Sequence, residues 1–76
     1  MNVGKGGQAM ELVQRFAANL AKERGRRKFT ERELAERAGF SVSYVSMLLR
    51  GVRSPPLETV EKLAHALGVP ALRLLS

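Results

Sequence analysis

Apolar residues recur at three- and four-residue spacing along most of the chain, which is the period of an amphipathic helix. Val13, Phe16, Ala17, Leu20 and Ala21 make one such stripe, with Gln14, Arg15, Lys22 and Glu23 mostly off it. The stripe predicts a helix over about 9–24, stopped by Gly25, with Lys22 and Arg24 in the last turn where cations complement the helix dipole. Phe29 is expected to return to the core. Leu34, Ala35 and Ala38 repeat the pattern over 31–38. Thr30 and Glu33 precede that stretch at the spacing of a capping box, in which hydroxyl and carboxylate each satisfy an orphan backbone N–H. Gly39 lets the chain leave the helix, Ser41 can cap the next, and Val45, Leu48 and Leu49 mark the buried face of a helix over 42–50 that ends at Gly51. A fourth begins near Pro56 and buries Leu57, Val60, Leu63, Ala64 and Leu67 before Gly68. Pro70 can start a short last helix, Ala71 to Leu75. No stretch alternates with period two. The expected fold is all-α, a compact five-helix bundle over 9–76. Residues 1–8, with three glycines and one charge, are read as a flexible N-terminal arm.

Size and charge narrow the function. Seventy-six residues make one domain, and one core of this size supplies only about 3–5 kcal/mol of net stability. With no cysteine, efficient helix packing must suffice, assisted by self-association. No apolar run approaches the ~20 residues of a membrane span, and the N-terminus lacks the apolar core of a signal peptide, so a cytoplasmic location is expected. The net charge is +6 and every acidic residue is glutamate. A basic surplus suits an anionic partner, and its placement says more than its total. Residues 22–28 hold five basic groups and one acid, and Arg50 and Arg53 follow the third helical pattern. The two clusters flank the central helix pair, where phosphate contacts would be wanted.

Groups for catalysis or metal binding are missing. His65 is the one histidine and falls at an outward position, and there is no cysteine or aspartate to complete a metal site or a triad. Gly4, Gly6 and Gly7 lack the spacing and the strand-to-helix context of a phosphate loop. Ser41, Ser43 and Ser46 read as caps or contacts. No enzyme activity, metal or cofactor is expected.

Two short helices joined by a tight turn containing glycine form a helix-turn-helix, whose second helix typically enters the DNA major groove. Four segments carry a wider likeness: Thr-Glu-Arg-Glu-Leu-Ala-Glu-Arg-Ala-Gly-Phe-Ser (30–41), Ser-Tyr-Val-Ser (43–46), Arg-Gly-Val-Arg-Ser-Pro-Pro-Leu-Glu-Thr-Val (50–60) and Leu-Ala-His-Ala-Leu-Gly-Val (63–69). In this order and spacing the chain resembles the phage-repressor and Cro type of helix-turn-helix, the XRE family, over about residues 10–75. The resemblance implies a lambda-repressor-like domain that binds double-stranded DNA as a transcriptional regulator, often as a dimer. It makes 31–38 the positioning helix and 42–50 the recognition helix. Val42, Ser43, Ser46 and Met47 would face bases. Arg27, Lys28, Thr30, Arg32, Ser41, Tyr44, Arg50 and Arg53 would lie at the phosphate backbone.

The chain departs from that family at several positions. Glu31 stands where glutamine is common, and a carboxylate repels phosphate. The connection between the first two helices reads as longer than usual near Arg26, Arg27 and Lys28. Leu49 replaces a common glutamate. The reading positions offer no fork of the kind that pairs with guanine or adenine, so affinity is expected mainly from phosphate contacts, with modest direct readout and some contribution from DNA shape. Leu72, Leu74 and Leu75 crowd a very short terminal helix and are expected to form a homodimer surface. Two-fold pairing would set recognition helices about 34 Å apart. The expected function is a sequence-specific regulator, a homodimeric repressor associated with the nucleoid. The alternative is a protein-interaction module, an accessory or antitoxin-like subunit, motivated by the apolar Val42, Met47 and terminal leucines.

Overall fold

The apolar stripes become four helices and one tight turn. The computed structural model describes residues 7–76, with side chains from Glu11 onward. The elements are α1 (Gly7–Arg27), α2 (Glu31–Ala38), α3 (Val42–Leu49), α4 (Leu57–Leu67) and a 3₁₀ turn over Ala71–Leu74. Among the described residues there is no strand. The fifth expected helix is therefore only a 3₁₀ turn. Its short span after Pro70 closes with i→i+3 bonds, Arg73 N–H to the Pro70 carbonyl at 2.9 Å and Leu75 N–H to that of Leu72 at 3.0 Å.

α1 is longer than the stripe predicts at both ends. Gly7 and Gln8, assigned to the arm, lie in its first turn, and the rest of that expected arm falls outside the described residues. At the other end Gly25 does not stop the helix. Lys28 takes the left-handed position at φ +59°. Its N–H reaches the Gly25 carbonyl at 3.0 Å while the Phe29 N–H reaches that of Arg24 at 3.1 Å. These two bonds form a Schellman closure. The extra residues thus add a turn to α1, and only residues 28–30 connect it to α2.

Thr30 and Glu33 form the expected capping box: the Thr30 hydroxyl accepts from the Glu33 N–H at 3.0 Å, and the Glu33 carboxylate accepts from the Thr30 N–H at 2.8 Å. α2 ends at Gly39, whose φ of +82° swings the chain into the turn. Ser41 then caps α3 by accepting from the Tyr44 N–H at 3.1 Å.

The core gathers Phe16 and Leu20 from α1, Leu34 from α2, Val45 and Leu48 from α3, Leu63 and Leu67 from α4, and Leu74 from the 3₁₀ turn. One expected core residue fails: Leu57 is 74% exposed. Pro56 occupies the N-cap of α4, so Leu57 sits in its first turn, and the buried face starts only at Thr59 and Val60.

Three polar side chains of α1 pin it to distant carbonyls. Gln14 Nε2 donates to Gly51 O at 2.9 Å, Asn19 Nδ2 to Leu74 O at 3.1 Å, and Arg27 Nη1 to Leu67 O at 2.8 Å. The Glu23 carboxylate, almost fully buried, lies 4.0 Å from Arg26 and 3.9 Å from Arg73, tying the 3₁₀ turn to α1. These contacts tie α1 to the segment after α3, to the end of α4 and to the 3₁₀ turn.

Candidate nucleic-acid interface

α3 divides its residues between two sides. Val45 and Leu48 are fully buried behind it. Val42, Ser43, Ser46 and Met47 line one open depression of about 280 Å³ on the outside, joined by Arg50. The helical period makes this necessary: positions 42, 43, 46, 47 and 50 occupy one side of the cylinder and 45 and 48 the other. Val42 also packs partly against the core, which limits how far it projects. Ser43 is exposed, while Ser46 and Met47 are half-buried.

Arg50, the C-cap of α3, directs Nη1 to within 3.4 Å of Ser46 Oγ. Arg53 lies farther along the loop, its guanidinium 5.9 Å from the centre of the Tyr44 ring. Arg32 is exposed near the start of α2. Among the described residues, Lys28, Arg32, Arg50 and Arg53 have no carboxylate within salt-bridge distance. They remain positive toward solvent on the link before α2, on α2 itself and on the segment after α3. Thr30 and Ser41 are exposed caps. Their oxygens accept backbone N–H bonds, which leaves each hydroxyl proton free to donate.

Three of the expected contact residues are engaged within the domain. Arg27 caps the last turn of α4 through the Leu67 carbonyl, with its guanidinium 5.4 Å from the Phe29 ring centre. It stands thirteen residues along α1 from Gln14, about 20 Å at helical rise, and Gln14 is the residue that touches the end of α3. The Tyr44 hydroxyl pairs with Thr59 Oγ1 at 3.3 Å, and its ring meets Phe40 edge-on at 5.2 Å. Tyr44 thus links α3 to α4 and turns its hydroxyl away from the solvent face. Leu74 is fully buried and offers no surface to a second copy, because the 3₁₀ turn folds it inward. Leu72 is 75% exposed and Leu75 half-buried, so these two retain the outward character expected of them.

Two features went unread in the sequence. Arg37 stacks over the Phe29 ring at 4.4 Å and, with Arg24 Nη1 on the Phe29 carbonyl at 2.7 Å, rigidifies the link between α1 and α2. No periodicity marks such a contact. The second is an apolar groove of about 340 Å³ formed chiefly by Leu12, Val13, Phe16, Leu57, Val60 and Leu75. Its one trace in the sequence is Leu12, an apolar residue of α1 that lies outside the expected stripe.

Comparison with known proteins agrees with this geometry. The helix-turn-helix family pattern matches residues 20–74. The chain is 37% identical over 67 residues to y4dJ of Sinorhizobium fredii, an uncharacterised HTH-type transcriptional regulator, covering 88% of this chain and 87% of that protein. Its fold is similar to that of a hypothetical transcription factor from Neisseria, NHTF, with a TM-score of 0.83 and 35% identity over 86% of this chain and 75% of the other. It is also similar to the clp gene regulator ClgR of C. glutamicum, with a TM-score of 0.80 and 34% identity over 84% and 83%. A third likeness is to the restriction-modification controller protein C.AhdI of Aeromonas hydrophila, with a TM-score of 0.79 and 31% identity over 82% and 94%.

Proposed function

This chain belongs to the XRE-type helix-turn-helix family of DNA-binding transcriptional regulators, which are not enzymes, and on that premise we propose that it is a sequence-specific homodimeric repressor that inserts α3 into the major groove. The observation that carries this reading is the division of α3. Val45 and Leu48 brace it from behind, while Val42, Ser43, Ser46 and Met47 share its outward face. An α-helix presented in this way fits the major groove and meets base edges there. Serine hydroxyls can donate to or accept from any base, and Met47 and the free part of Val42 pack best on thymine methyls.

Phosphate contacts fall to Lys28, Arg32 and Arg53, with Thr30 and Ser41 donating from their hydroxyls. The start of α2 is a weaker anion site than its dipole suggests, because the Glu33 carboxylate already caps it. The N–H groups of Glu31 and Arg32 remain available to a phosphate.

For the dimer, Leu72 and Leu75 keep their place, and Leu12 and Leu57 on the adjoining groove extend the apolar surface. Self-association through this face suits an inverted-repeat operator, since a two-fold protein matches a two-fold site. The protein would act in the cytoplasm, on the nucleoid.

The test is the salt dependence of duplex binding. Replacing Arg53 with Ala should weaken every duplex alike and flatten the slope of log K against log salt by about one unit. An unchanged slope removes Arg53 from the interface. The same groove supports a second reading, a protein-interaction module. No duplex retention near physiological salt, together with one stoichiometric protein partner, would favour it.

A further inference from the structure

The reading face contains a fork that the sequence pattern assigns to the backbone. Arg50 stays in the right-handed region, φ −84° and ψ −6°, and its N–H still bonds to the Ser46 carbonyl at 3.1 Å, although it lies just past the last residue of α3. It therefore continues the stripe of Ser43, Ser46 and Met47 at i, i+3, i+4 and i+7. Long helical side chains lean back over the preceding turn. That of Arg50 does so, bringing Nη1 within 3.4 Å of Ser46 Oγ and placing the guanidinium on the same depression as Val42, Ser43 and Met47. The small serines at 43 and 46 leave the room it occupies. Arg53 has no part in that depression and lies against the Tyr44 ring instead.

We propose that Arg50 reads a guanine in each half-site, rather than neutralising a phosphate, and so sets specificity at one G·C pair. The inference rests on the docking of α3 proposed above. A guanidinium can pair with guanine O6 and N7 together, an arrangement no other base offers in the major groove. Arg50 is the only forked cation among the residues that line the face. Its hydrogen bond to Ser46 is long and exposed, so a base can displace it. The two arginines after α3 thus divide the work, Arg50 reading and Arg53 neutralising.

The experiment is selection from a random duplex pool at about 150 mM salt, run with the unaltered chain and with Arg50→Ala, Arg50→Gln and Arg53→Ala. The unaltered chain should enrich sites with a fixed guanine in each half. Arg50→Ala should lose about 10- to 100-fold preference at that position alone and keep the rest of the profile. Arg50→Gln should shift that position toward adenine, the base glutamine pairs with. Arg53→Ala should lower affinity for all duplexes and leave the profile unchanged. Arg50 is exposed, so melting of its variants should match the unaltered chain. If Arg50→Ala weakens all duplexes by one factor with the profile intact, Arg50 is a phosphate contact and the inference fails. Enriched sites without a fixed guanine, or binding without enrichment, overturn it while leaving DNA binding in place. If the unaltered chain retains no duplex, the DNA reading fails and this inference falls with it.

Discussion

Leu72 and Leu74 lie two residues apart and should respond in opposite ways to truncation. Leu74 is fully buried among α1, α4 and the rest of the core, whereas Leu72 is 75% exposed. Leu74→Ala removes three buried heavy atoms and leaves a void that a tight 3₁₀ turn, held by Asn19 and Glu23, can relax into only partly. Such changes cost about 2.7–5 kcal/mol. A domain of this size has only about 3–5 kcal/mol of net stability, so the variant should be largely unfolded near body temperature. At about 4–8 °C per kcal/mol, the midpoint should fall by at least ~10 °C. Leu72→Ala should leave monomer stability within about 0.5 kcal/mol, and weaken only association of two copies. The assay is thermal and urea unfolding followed by far-UV circular dichroism at two protein concentrations, with sedimentation to read the oligomer. A Leu74→Ala loss below about 1 kcal/mol, far under a buried leucine's range, or a Leu72→Ala loss equal to it in the monomer, would refute the assignment of the two leucines.

Three further substitutions test the frame. Lys28→Gly relieves a left-handed φ of +59° and should stabilise the fold by about 0.5–1 kcal/mol; the same variant should lose about one unit of salt slope in duplex binding, and a lower melting midpoint would count against the strain. Arg27→Ala should cost about 1 kcal/mol by opening the cap on Leu67 and the contact with Phe29, yet leave the salt slope of DNA binding unchanged; a flattened slope would return Arg27 to the interface. Glu23→Gln should destabilise by only about 1 kcal/mol although the carboxylate is buried, because Arg26 and Arg73 are each at least half exposed and can return to water; a loss above about 3 kcal/mol would mean a charge stranded in the core.

Helix existence and register were legible where apolar spacing and caps agreed. α2 and α3 are the clearest cases, since Thr30, Glu33, Gly39 and Ser41 each supply a local hydrogen-bonding or dihedral reason for a boundary. α1 runs past Gly25 because a glycine signals an end only when the chain needs its left-handed dihedral, and here Lys28 takes that conformation as half-buried Phe29 turns back onto the core. The shared open face of Val42, Ser43, Ser46 and Met47 followed from helical period, their role as base contacts only from the family resemblance. The roles of Tyr44, Arg27 and Leu74 did not, because each depends on a partner far away in sequence: Thr59, Leu67 and the core face of α1. Leu57 fits the apolar stripe, yet its place in the first turn of α4 leaves nothing opposite to cover it.

The two-sided construction of α3 bears on how such a protein changes over generations. Val45 and Leu48 secure the helix, and none of the residues on its outer depression is fully buried. On the proposed docking of α3, substitutions at 43, 46, 47 and 50 would therefore alter which sequence is bound at little risk to the fold. A duplicated copy could drift to a new operator in single steps, each intermediate still folded and still attracted to DNA by the same flanking charges. A library randomised at those four positions should remain largely folded, and it would make this scaffold a starting point for reprogrammed DNA readers.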